Sequence, residues 1–111
     1  MPTDIARIDS LLQQLTLEEK VSLTVGRDSW TTNGVERLGI PSIWLSDGPT
    51  GLRKSHKSTD IGIGNSEPST CFPTASALAS SWDRNVMDRV ARAIGREAQA
   101  KGVHVLLGPG L

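Results

Sequence analysis

The sequence predicts an α/β chain, on three observations. Two short apolar strands lie at residues 42–47 and 103–107, an amphipathic helix runs between them, and a Gly-Pro turn follows each strand. A crossover that contains a helix normally returns the chain to a parallel neighbour with right-handed sense. A parallel sheet needs both faces covered, and two strands alone leave edges open, so the unit reads as part of a larger α/β fold.

Each element has its own signal. Over residues 4–14, Ile5, Ile8, Leu11, Leu12 and Leu15 recur at three- and four-residue steps, which predicts one apolar helix face. Thr16 then reads as an N-cap with Glu19 closing a capping box, and Leu17, Val21 and Leu23 supply apolar contacts for a second helix that Gly26 ends. Residues 27–41 hold Gly34, Gly39 and Pro41 without a sustained period and read as an irregular connection. The strand at 42–47 ends on Asp47, and Gly48-Pro49 turn the chain. Residues 50–73 are rich in Ser, Thr, Gly and Lys, too long for an ordinary connection, and read as a mobile functional loop. After a small, Ala-rich stretch at 74–80, Asp83 caps a strong helix with Val86, Met87, Val90, Ala91, Ile94 and Ala98 as its buried stripe. Lys101-Gly102 stops that helix, and Val103 opens the second strand.

Composition narrows the function classes. The chain has 111 residues, enough for one small domain, and its 37% hydrophobic content belongs to a globular protein rather than a disordered one. Twelve basic residues offset twelve acidic ones, so no net field gathers nucleic acid or an anionic membrane. Cys71 is the sole cysteine, which excludes an internal disulfide; it reads as a small buried group and leans towards a reducing compartment. The N-terminus shows no basic region leading into an apolar stretch, and no run approaches the roughly 20 apolar residues of a membrane span. A cytoplasmic location is the expectation. Two histidines and one cysteine so placed make no metal site, and Gly62-Ile63-Gly64 lacks the strand and helix of a phosphate loop, so no cofactor is expected.

Five blocks stand in order: Leu15-Thr16-Leu17-Glu18-Glu19-Lys20-Val21, Arg37-Leu38-Gly39-Ile40-Pro41, Ser46-Asp47-Gly48-Pro49-Thr50-Gly51-Leu52-Arg53, Cys71-Phe72-Pro73-Thr74 and Val105-Leu106-Leu107-Gly108-Pro109. Together they resemble the opening of glycoside hydrolase family three, the β-glucosidase family, from about Leu15 to Leu111. The resemblance implies that residues 1–111 are the N-terminal portion of a (β/α)8 TIM-type barrel domain, incomplete in this chain, with its site at the C-terminal ends of the strands. It implies a retaining glycosidase of terminal β-D-glucosyl or related residues, in which two carboxyl groups about 5–5.5 Å apart serve as nucleophile and acid/base. Neither of those groups has a matching position here, so the isolated chain is expected to be inactive and to depend on the remainder of a longer chain.

One family position does match. Asp47 corresponds to the Asp that accepts hydrogen bonds from hydroxyls of the non-reducing sugar, a task that suits an acceptor-only carboxylate. Its bland alternative is a turn cap at a strand end. Arg53 reads as a structural residue that braces the loop or pairs with a carboxylate. His104 reads as a packed, hydrogen-bonded strand residue before a ligand, and Trp44 as core, while Trp30 stays open to sugar contact. The alternative function class is a non-catalytic carbohydrate-binding or regulatory protein; within the family, β-xylosidase or other exoglycosidase activity is the alternative.

Overall fold

The computed structural model describes residues 4–48, 50–61 and 64–108. The sequence readings that involve Pro49, Gly62-Ile63 and Pro109-Gly110 lie outside the described residues.

Helix α1, Ile5–Gln14, starts where Asp4 accepts from the Arg7 amide at 3.2 Å. Helix α2, Leu17–Leu23, starts on the expected capping box: Thr16 accepts from the Glu19 amide at 3.2 Å, and Glu19 accepts from the Thr16 amide at 2.9 Å. It ends earlier than Gly26, because the Thr24 hydroxyl donates to the Val21 carbonyl at 2.8 Å and occupies the last turn. The connection at 27–41 contains a 3-10 turn, Glu36–Leu38, closed by Gly39 at φ 67. Gly34 is required here by close approach, since a Cβ would lie 2.8 Å from both the Ile40 carbonyl oxygen and the Ser42 amide.

Strand β1 is Leu45–Asp47 and strand β2 is Val105–Leu107. They pair in parallel, as the crossover argument requires, with Leu45 opposite Val105 and Asp47 opposite Leu107. Both strands are shorter than their apolar runs. The Thr32 amide donates to the Ile43 carbonyl at 3.1 Å and Trp44 bridges antiparallel to Thr31, so the first part of the run pairs with the preceding loop.

The crossover holds α3, Ala75–Ser80, capped by Thr74, and α4, Arg84–Ala100, capped by Asp83 with the Asn85 amide at 2.8 Å. Gly102 at φ 67 terminates α4: its amide donates to the Gln99 carbonyl at 3.1 Å and the Val103 amide to the Ala98 carbonyl at 2.9 Å. That pair of bonds is a Schellman stop.

Burial concentrates where β1, β2 and the last turns of α4 meet. Leu52, Ala98 and Val103 form the core there, with Trp44 and Leu106 packed against it. Of the stripe expected on α4, Ile94 and Ala98 are buried, while Met87 is 39% exposed. The chain exposes 8034 Å². A compact monomer of its mass exposes about 6,000 Å², so roughly a third more surface is open than one closed core leaves. The radius of gyration, 17.1 Å, likewise exceeds the about 13 Å of a compact chain this long.

Candidate functional site

Asp47 stands at the C-terminal end of β1, and the chain folds back on it within six residues. Gly48 at φ 131 permits the reversal, because a Cβ there would run into the Gly51 carbonyl oxygen. A Cβ on Gly51, at φ 143, would likewise run into the Thr70 carbonyl oxygen. The Arg53 amide then donates to the Asp47 carbonyl at 2.9 Å, closing a local antiparallel bridge. In this extended stretch successive side chains point to opposite sides. Leu52, 1% exposed, enters the core, and Arg53 turns the other way onto the Asp47 carboxylate.

The Asp47–Arg53 contact is a two-pronged fork. Arg53 Nε donates to Oδ1 at 2.8 Å and Nη2 donates to Oδ2. Hydrogen bonding to Asp47 raises the Arg53 pKa above its ordinary value against the effect of burial, and the charges of Asp47 and Asp60 add to the rise. An ionised carboxylate offers about four lone-pair sites, and the fork takes two. With its side chain 29% exposed, Asp47 keeps acceptor capacity on the open side. The carboxylate can therefore accept further hydrogen-bond donors on that side.

The segment that carries Arg53 is fastened on both flanks. Lys54 Nζ donates to the Lys101 carbonyl at 2.8 Å, pairs with Glu67 at 3.1 Å and lies 5.0 Å from the centre of the Trp44 ring. Lys101 donates to the Pro68 carbonyl, and the Thr70 amide donates to Glu97 at 3.1 Å. Trp30 Nε1 donates to the Asp60 carbonyl. Burial opposes ionisation of Asp28, but hydrogen bonds from Ser58, Thr31 and Trp30 outweigh it and hold that carboxyl below the usual range. The expected mobile loop is therefore pinned at several points among its described residues. The three that end on backbone carbonyls, from Trp30, Lys101 and Lys54, join residues 30 to 47 positions apart, and no spacing signal announces them.

The remaining candidates separate. His104 Nδ1 accepts from the Trp44 amide at 2.9 Å, so it locks the start of the parallel pair. Trp44 packs against the core, as read, and Trp30 spends its indole N–H on the loop. Cys71, read as buried, is exposed, because the neighbouring Thr70 is held to Glu97 and Phe72 to Thr50, which turns the thiol outward. His56 is exposed.

No family model matches the chain. Among curated proteins it is 54% identical, over 99% of its own length, to thermostable beta-glucosidase B of Acetivibrio thermocellus, of which it covers 14%. It is 47% identical over 90% of its length to an exo-alpha-(1->6)-L-arabinopyranosidase of Bifidobacterium longum, again covering 14% of that protein. Among solved structures, a beta-glucosidase from Kluyveromyces marxianus in complex with glucose superposes with a TM-score of 0.82 at 38% identity, covering 92% of this chain and 12% of that one. A GH3 beta-glucosidase of Bifidobacterium adolescentis gives 0.77 at 45% identity, covering 90% of this chain and 13% of that one. The chain thus spans about an eighth of the length of the proteins it matches, and in sequence and backbone it is similar to one segment of beta-glucosidases, among them a GH3 beta-glucosidase.

Proposed function

We propose that residues 1–111 are the N-terminal part of the barrel domain of a retaining β-glucosidase, and that Asp47 holds hydroxyls of the terminal non-reducing sugar. The observation that carries this reading is the placement of Asp47: a half-open carboxylate at the C-terminal end of a parallel strand, with an Arg fork on one side. In barrels of parallel strands, that end is where ligands bind. The likeness to a glucose-bound β-glucosidase supports a β-glycoside as the ligand. In this reading Asp47 orients the sugar ring, and a nucleophile and an acid/base contributed by other segments of the same enzyme cleave the bond through a glycosyl-enzyme intermediate. The likeness to an arabinopyranosidase makes a second exoglycosidase specificity the runner-up.

The test is Asp47→Ala in the complete enzyme that carries this segment. Each charge-assisted bond to a sugar hydroxyl is worth about 1.5–3 kcal/mol, so kcat/KM on aryl β-glucosides should fall at least about tenfold to a hundredfold. A substrate lacking the hydroxyl in question should already be poor, and the mutation should add little to that loss. A folded variant with wild-type kcat/KM would return Asp47 to the role of turn cap. Comparing glucosides with arabinopyranosides separates the two specificities.

A further inference from the structure

We propose that His104 is an acid-sensitive clasp between the two strands: its neutral imidazole stands in for a strand carbonyl at the head of the parallel pair, and protonation of the ring releases the bond. The inference is independent of the sugar-binding reading of Asp47. His104 Nδ1 accepts from the Trp44 amide at 2.9 Å, while the Trp44 carbonyl accepts from the His104 amide at 2.9 Å and the Val105 amide at 3.2 Å. The two residues thus exchange bonds in both directions just ahead of β1 and β2. Only the bond to the ring has a titratable acceptor. A ring nitrogen accepts only without a proton, so this bond requires the neutral tautomer with its proton on Nε2. In the imidazolium both nitrogens donate, and Nδ1–H would face the Trp44 N–H at the distance of a hydrogen bond.

The backbone offers that amide no substitute. In a parallel ladder a residue bonds to the neighbours on either side of the one it faces, so with Val105 on its carbonyl Trp44 would donate to Val103. The chain is still leaving α4 there, with Gly102 at φ 67 and the Val103 amide bonded to the Ala98 carbonyl at 2.9 Å. The ring of His104 fills the gap. The charged groups on the elements packed against this junction are committed elsewhere. Lys54, from the loop, lies 5.0 Å from the centre of the Trp44 ring and donates to the Lys101 carbonyl. Lys101, at the end of α4, donates to the Pro68 carbonyl, and Glu67 pairs with Lys54 at 3.1 Å and Lys101 at 3.8 Å. On the connection at 27–41, Asp28 holds the Trp30 and Thr31 amides and pairs with Arg27 at 3.6 Å. Among the described residues none of these groups bonds to the imidazole, which is exposed to protons from solvent.

The experiment follows deuterium exchange of the Trp44 amide in the complete enzyme that carries this segment, as wild type, His104→Asn and His104→Ala, from about pH 8 to about pH 5, the window in which an imidazole changes charge. The Asn side-chain oxygen stands in the same relation to the backbone as Nδ1 and accepts without titrating. Comparing the variants at each pH removes the intrinsic pH dependence of exchange. The bond exists only with the ring neutral, so it is present at the alkaline end and lost as pH falls. Protection of the Trp44 amide in wild type, taken relative to His104→Asn, should therefore drop about tenfold or more across the window, and in His104→Ala it should be low throughout. The nitrogen resonances of the wild-type ring should show Nδ1 bare and Nε2 protonated at the alkaline end. The same pH profile in wild type and His104→Asn, or equal protection in wild type and His104→Ala at the alkaline end, overturns the clasp. So does a ring that carries its proton on Nδ1 at the alkaline end, and that measurement decides without a variant should His104→Asn fail to fold.

Discussion

Between β1 and β2, Leu52, Ile94, Ala98 and Val103 are each less than a tenth exposed, whereas α1 and α2 leave Ile5 67%, Leu17 72% and Val21 56% exposed. Both regions obey their local codes. Asp4 and Thr16 cap the N-terminal helices as completely as Asp83 and Gly102 bound α4. A cap is satisfied by residues within about four positions, so it forms wherever the sequence provides it. Burial needs partners far along the chain, and Leu52 finds Ala98 and Val103 only because the crossover brings them back. Element boundaries are thus a local property, and closure of a core over them is a property of the whole assembly.

The broadest way to break this contrast is to melt the 111-residue chain. With about a third more surface open than a compact monomer of its mass has, it should lose helical signal gradually and bind an apolar-surface dye before heating. A sharp transition of soluble monomer, without dye binding, would show that the two regions form one cooperative unit.

A finer test sets one residue from each region against the other. Leu52→Ala should cost about 2–5 kcal/mol, read as lost hydrogen-exchange protection of the His104 and Val105 amides, whereas Leu17→Ala should cost no more than about 0.5 kcal/mol. Those two amides report the region directly, since both donate to the Trp44 carbonyl, at 2.9 and 3.2 Å. Equal losses from the two substitutions would erase the distinction.

The same contrast explains what the sequence discloses. Thr16 with Glu19, Asp83 as the cap of α4, and Lys101-Gly102 are local signals, and each lies where periodicity and capping put it, whereas only Ile94 and Ala98 of the stripe behind Asp83 are buried. The parallel pairing follows from a helix-containing crossover, but its register does not, because nothing local says that Ile43 will bond to Thr32 and that Trp44 will bridge Thr31 while its carbonyl accepts from the start of β2. At the candidate site, Asp47 at a strand end and Arg53 beside a carboxylate were legible in an eight-residue block. The fastening by Lys54, Glu67 and Lys101 was not, since it depends on where a long loop crosses the end of α4. Cys71 misleads for a similar reason: composition makes a lone cysteine look buried, and its neighbours' bonds turn it outward.

The smallest expected effect concerns Glu19, where a local code and a distant partner meet in one side chain. Arg37 donates to it through Nε at 2.7 Å and through Nη2, and the Thr16 amide donates at 2.9 Å. The Arg37 bond first, then that from Thr16, lowers the Glu19 pKa from 4.5 to about 2. Because the folded value lies below the ordinary one, the stabilisation is fully present above pH 4.5 and is lost as pH falls through about 2. The capping bond from the Glu19 amide to the Thr16 hydroxyl carries no titrating group and should persist until the helix itself opens. Acidification over that window should therefore shift the Thr16 amide and the Arg37 Nε resonance before it alters the other α2 amides. Glu19→Gln keeps an acceptor for the Thr16 amide but cannot titrate, so it should abolish both shifts. Salt should weaken the Arg37 component, whose side chain is 51% exposed, and leave the Thr16 bond nearly unchanged. If Glu19→Gln shows the same acid-induced shifts as wild type, another carboxylate governs this end of α2, and the link between its cap and the connection that carries Arg37 is lost.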